Sequence, residues 1–166
     1  MARGDSRGFP RGRFFGILTS HVLPIADLMK SHHVHPLRVY YEDTDAAGIV
    51  YYANYLRFIE RGRTEFLRAL GHDQNALMKD GIAFAVRSVS AEFLKPAKLD
   101  DLLTVETSIA SLGRAQVTFA QRILRDHERL LDAKIRVACI DPLRGKPIPM
   151  PRALHQQLSA LSETLQ

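Results

Sequence analysis

The chain has one cysteine, Cys139, in 166 residues. A lone cysteine excludes an intrachain disulfide framework and a cysteine-rich metal site. It stands in an apolar, alternating run, which predicts a buried and inert thiol. No stretch approaches about 18 consecutive apolar residues, so no transmembrane helix is expected. There is no G-x-S-x-G, no P-loop and no metal-ligand spacing. Serine-elbow hydrolysis, Walker-type nucleotide handling and a resident metal therefore drop out of the expectations, and no cofactor is implied. No basic face with interleaved aromatics stands out, so nucleic-acid binding by the main domain has little support. The pattern fits the cytoplasm.

What is present is a soluble composition, 46% apolar and 25% charged, in a length that suits one domain with a real core. The net charge of +5 is uneven. Arg3, Arg7, Arg11, Arg13 and Lys30 face only Asp5 and Asp27 in residues 1–36. That region reads as a basic, disordered extension, with a loose apolar helix over 14–30 broken by Gly16 and Pro24. A secretory signal is not expected, because Thr19, Ser20 and His21 interrupt the apolar stretch and no small-residue cleavage site follows. Met29 is a candidate alternative start. His32, His33 and His35 read as flexible surface histidines near a boundary rather than a metal tract. The main domain is expected over 37–150 and a C-terminal helix or tail over 151–166.

Within the domain, Leu37 to Asp43 reads as a first strand. Asn54 to Leu70 reads as the longest helix, with Asn54 as its N-cap and Leu56, Ile59, Phe66, Leu67 and Leu70 as its apolar stripe. An Arg61–Glu65 pair is expected on its surface. Gly62, costly inside a helix, predicts a close approach by a strand. His72 to Asp80 can form a short helix. From Ile82 onward the period changes to two, giving strands over Ile82–Leu94, Leu102–Leu112, Ala115–Arg125 and Leu130–Ile140. Short turns between them imply antiparallel hairpins. The expected class is α+β: an antiparallel sheet curled around one long helix.

The stretch Tyr40 to Glu65, YYEDTDAAGIVYYANYLRFIERGRTE, organises the rest. Glu42, Asp43 and Asp45 end an extended run, a small-residue turn through Gly48 follows, and a helix opens. Such carboxylates can be solvated turn residues or caps. The layout also brings an anionic side chain and unpaired helix N-terminal amides to one place.

This run resembles the 4-hydroxybenzoyl-CoA thioesterase family of hotdog-fold proteins, and within it the Tol–Pal-associated acyl-CoA thioesterase branch. Phe93-Leu94-Lys95-Pro96-Ala97 followed by Leu99-Asp100-Asp101 is similar to the same branch. The likeness covers about 37 to 150. It implies a hotdog fold, hydrolysis of an acyl-CoA substrate, and a homodimer or tetramer whose sites lie between protomers. It implies a catalytic role for Asp45, as nucleophile or as general base for water, with Tyr41 at an accessory position. Tyr52 stands where the Tol–Pal branch often carries His.

The chemistry is coherent by itself. A carboxylate such as Asp45 can attack a thioester carbonyl or activate water. Backbone amides at the helix start, around Tyr52, Ala53 and Asn54, can bind substrate by polarising its carbonyl oxygen. CoA thiolate leaves readily, so a strong general acid is not required. The alternative is a non-catalytic acyl-CoA or acyl-carrier-protein binding module, with peripheral contact at a membrane face. A dehydratase of the same fold would need a catalytic His. His72, His127 and His155 are expected in a loop, a turn and the last helix, which argues against one.

Overall fold

The computed structural model describes residues 32–163. The expected disordered extension before residue 32, the loose helix over 14–30 and residues 164–166 lie outside the described residues. Among the described residues the order is β1 (His33–Arg38), a 3₁₀ turn (Tyr41–Asp43), α1 (Tyr52–Ala69), α2 (Gln74–Lys79), β2 (Ala83–Phe93), β3 (Leu102–Leu112), β4 (Gln116–Arg125), β5 (Glu128–Asp141), β6 (Lys146–Pro147) and α3 (Arg152–Glu163).

The strands form one antiparallel sheet in the order β1-β3-β4-β5-β2, with β6 added to β5. Alternation along the strands, shifted at bulges in β2, β3 and β4, sends one set of side chains inward. Register lines these sets into rows. Val105, Ile123, Leu131 and Phe93 make one row across β3, β4, β5 and β2, and Ile109, Phe119, Ile135 and Val89 make another. Between them runs a row of Thr107, Gln121, Ala133 and Ala91, with His33 beside Thr107 at the β1 edge. A bulge between Val86 and Ser88 interrupts β2, which is an edge strand.

Helix α1 lies on this inner face. It buries Tyr55, Phe58, Ile59, Gly62, Phe66 and Leu67. Each large side chain among them contributes roughly 1.5–3 kcal/mol by leaving water. Gly62 lets the helix settle close: a Cβ there would meet Val105 Cγ1 at 2.6 Å. The expected strand approach at Gly62 is therefore present. The closeness puts the Ile59 carbonyl within 2.8 Å of Gln121 Nε2. At the C-terminus, α3 buries Leu154 and Leu158 and packs on β3. Cys139 is buried on β5, as expected, and burial pushes its thiol pKa up.

Several local expectations are corrected. The first strand is His33–Arg38, not 37–43, so the sheet begins inside the region assigned to the extension. Pro36 is tolerated because β1 is an edge strand. Beyond it the Asp43 carboxylate accepts the Tyr40 N–H at 2.9 Å and folds 41–43 into a turn. His33 and His35 are partly buried, and the His33 ring lies 5.8 Å from that of Phe66. Leu56 is 38% exposed, and Tyr55 and Phe58 take the inward places instead. Glu65 pairs with Arg68, while Arg61 lies over the Phe58 ring.

Candidate active site

Asp45 opens a tight turn. Its N–H donates to the Ile49 carbonyl and its carbonyl accepts the Gly48 N–H, both at 2.9 Å. Gly48 has φ +73°, a conformation that suits glycine. The carboxylate is exposed. Oδ1 accepts the Ala47 N–H at 2.8 Å, and no hydrogen bond to Oδ2 is formed among the described residues. Ala46 and Ala47 add little bulk beside it.

Two segments hold this turn in place. Thr44 and Val50 pair across its base, and Ile49 pairs with Lys98. The Val50 N–H reaches the Ala97 carbonyl at 2.9 Å, and the Ala97 N–H donates to the Tyr55 hydroxyl at 2.8 Å. The Lys98 N–H donates to Asp101 at 2.8 Å. Arg125 then grips Asp101 at 2.7 Å and Glu128 at 2.6 Å, tying the segment after β2 to the β4–β5 hairpin.

Helix α1 follows directly. Its N-cap is Tyr51, with no side-chain cap, rather than the expected Asn54. Asn54 is buried in the first turn, and its Nδ2 donates to the Asp43 carbonyl at 2.9 Å. The same carbonyl accepts the Tyr51 N–H at 2.9 Å. These two hydrogen bonds to the Asp43 carbonyl are the reason the helix starts two residues early. The Asn54 N–H is engaged with the Tyr51 carbonyl at 2.8 Å. Of the three amides expected to meet substrate, those of Tyr52 and Ala53 thus carry no backbone partner among the described residues, while that of Asn54 does.

The aromatic side chains surround this point. Tyr52 is 60% exposed and packs against Tyr51 at 4.7 Å and against Phe93 at 6.2 Å between ring centres. Its hydrogen bond with Tyr51 raises the Tyr51 phenol pKa. Phe93 also meets Tyr55 edge-on at 5.6 Å. Tyr41 is 83% exposed on the 3₁₀ turn, and its carbonyl accepts from Thr44. Its side chain makes no described contact with Asp45.

Tyr52 and Leu56 on α1, and Phe93, Val89 and Val86 on β2, are all partly open to solvent. These uncovered apolar side chains are the candidate walls of a groove between the two elements. Periodicity marked these as strand and helix residues but not as an uncovered wall. A larger hollow, about 740 Å³, lies on the opposite face of the sheet among Ser90, Glu92, Ser108, Arg122 and Lys134. Its lining mixes charged and polar side chains with Ala120 and Ala133, and Asp45 is not part of it. No group of side chains suited to a metal ion occurs among the described residues, and no described helix is long and apolar enough to cross a membrane.

One antiparallel sheet with a single long helix seated in it, and a carboxylate-bearing turn joined to a helix start with unpaired amides, define the class as a hotdog-fold thioesterase. Residues 39–158 match the Thioesterase-like superfamily, and the chain belongs to that family. It is an enzyme of the thioester-hydrolase class. The acyl-CoA thioester hydrolase YbgC of Escherichia coli O6:H1 is 47% identical over 120 residues, 72% of this chain and 90% of that protein. The acyl-CoA thioesterase YbgC of Haemophilus influenzae is 46% identical over 118 residues, 70% of this chain and 87% of that one. The crystal structure of a probable thioesterase from Bartonella henselae superposes with a TM-score of 0.69 at 41% identity, covering 72% of this chain and 99% of the other.

Proposed function

We propose that the protein hydrolyses acyl-CoA thioesters to the free acid and CoA, with Asp45 at the reacting carbon. The observation that carries this is the exposed Asp45 carboxylate on a turn that leads straight into the unpaired amides of Tyr52 and Ala53. The thioester oxygen binds those amides, where the positive helix end stabilises the developing oxyanion. Two routes fit. An Asp45 oxygen attacks the carbonyl carbon, the C–S bond breaks to release CoA thiolate, and water cleaves the resulting anhydride. Alternatively Asp45 takes a proton from water as its oxygen adds to the carbon, and the thiolate departs with that proton.

The acyl chain lies in the groove between α1 and β2. In one protomer its strand wall is the sheet edge, so a second copy pairing along β2 encloses it. A dimer is then the minimal active unit, singly or paired into a tetramer. A cytoplasmic setting and a Tol–Pal-associated role, with peripheral contact at the membrane face, complete the proposal. The test is Asp45→Asn. It should lower kcat at least about 100-fold while the melting temperature holds, since an amide neither attacks nor accepts the proton. Retention of more than about a tenth of wild-type kcat rules out Asp45 in this role.

A further inference from the structure

A pocket of about 100 Å³ is walled by Phe84, Val86, Phe119 and Val137, with Glu60 and Arg63 on its helix side. It shares Val86 with the uncovered apolar side chains of β2. Arg63 is partly buried. Its one described hydrogen bond runs from Nη1 to Gln121 Oε1 at 2.7 Å, and among the described residues no carboxylate forms an ion pair with it. Desolvation holds the guanidinium below its usual pKa, with Glu60 a smaller opposing influence.

A guanidinium has five N–H donors. Gln121 offers it a single acceptor atom, because Gln121 Nε2 is engaged with the Ile59 carbonyl and with Thr107 Oγ1, each at 2.8 Å. Gln121 is itself 1% exposed and Thr107 fully buried, so this support is rigid. A fixed, desolvated cation with spare donors beside apolar walls is costly until an anion completes it. Glu60 does not do so: it is exposed at the lip, where water screens it, and its Oε1 accepts from Thr64 at 2.7 Å.

We propose that the acyl groups this enzyme favours carry a carboxylate at the end remote from the thioester, and that Arg63 receives it. This rests on the acyl-CoA reading above. Arg63 lies eleven residues past Tyr52 on α1, about 16 Å along the axis. Its guanidinium leans back, because the Gln121 that holds it also holds Ile59, one turn nearer the helix start. The remaining span is roughly 10 Å, which suits a chain of about eight carbons.

Suberyl-CoA and octanoyl-CoA have the same carbon number and differ in the terminal carboxylate. The wild type should prefer suberyl-CoA by about tenfold or more in kcat/KM, as expected for one desolvated charged hydrogen bond. Arg63→Gln should reduce that ratio about tenfold, and Arg63→Lys should restore part of it, keeping charge but not the planar fork. A wild-type ratio of one or less, or a ratio unmoved by Arg63→Gln, overturns the proposal. Calorimetric binding to the wild type of the S-octyl thioether of CoA and of its ω-carboxy counterpart decides the matter if Arg63→Gln fails to fold. Tighter binding of the carboxylated thioether supports the proposal, and equal or weaker binding overturns it. If neither ester is cleaved, the thioesterase reading fails, and the same comparison of thioethers still decides the role of Arg63.

Discussion

Replacing Tyr55 with Phe removes one oxygen and leaves the ring. That oxygen accepts the Ala97 N–H at 2.8 Å. Tyr55 is 3% exposed and Ala97 fully buried, so water cannot replace the lost acceptor. The ring keeps its edge contacts with Phe58 and Phe93. The cost is therefore that of one orphaned buried donor, about 1–3 kcal/mol. For a domain of this size each kcal/mol lowers Tm by roughly 3 °C, so a fall of about 3–9 °C is expected. Activity should drop as well, because the Ala97 carbonyl holds Val50 at 2.9 Å, at the base of the Asp45 turn. Arg125 still grips Asp101 and Glu128, so the segment shifts without coming away. We expect kcat to fall severalfold with a smaller change in KM. Thermal unfolding and steady-state hydrolysis of one acyl-CoA provide both readings. A Tm within about 1 °C of wild type would refute the premise that the Ala97 N–H is sealed from water.

The His33 pKa is lowered by burial and by His35, against an opposing pull from Glu65, and its Nε2 has no hydrogen-bond partner among the described residues. The unfolded chain takes up this proton more readily, so the contribution is full above about pH 6.5 and erodes as pH falls below it. His33→Leu should flatten the loss of thermal stability between about pH 7 and 5, and identical slopes for the two proteins would remove His33 from that role. Light scattering with activity measured across a dilution series should show activity following the dimer. A fully active species at the 18.7 kDa monomer mass would sink the shared-site proposal.

The sheet was legible because β3 and β4 alternate cleanly, and β3 falls on the expected bounds of Leu102–Leu112. The start of the domain was not. Leu37, Val39 and the two tyrosines look like one extended run, but a carboxylate bond three residues back curls its end into a turn. Asn54 is a strong cap by type, yet a tertiary bond to Asp43 draws it into the helix and moves the cap to Tyr51. The pairs that shape the site are distant in sequence: Tyr55 with Ala97, Ile59 with Gln121. Periodicity carries no trace of them. Gly62 was legible for the opposite reason, since a glycine costs a helix stability unless something close requires it. Around Asp45, the turn and the helix behind it could be read locally, whereas the groove wall on β2 depends on what α1 leaves uncovered.

The two aspartates on either side of Thr44 differ in what surrounds them. Asp43 is 4% exposed, and its carboxylate and carbonyl fasten the turn to the helix start, whereas Asp45 is open to solvent. With Asp45 in its proposed role, inheritance at these two positions would have distinct signatures. A change at Asp43 weakens the fold, so cellular quality control clears the chain and the deficit appears as scarcity. A change at Asp45 leaves a normal quantity of chain that does nothing. Measuring abundance beside turnover in cells separates the two, and only the first kind of defect should be relieved by lowering the growth temperature.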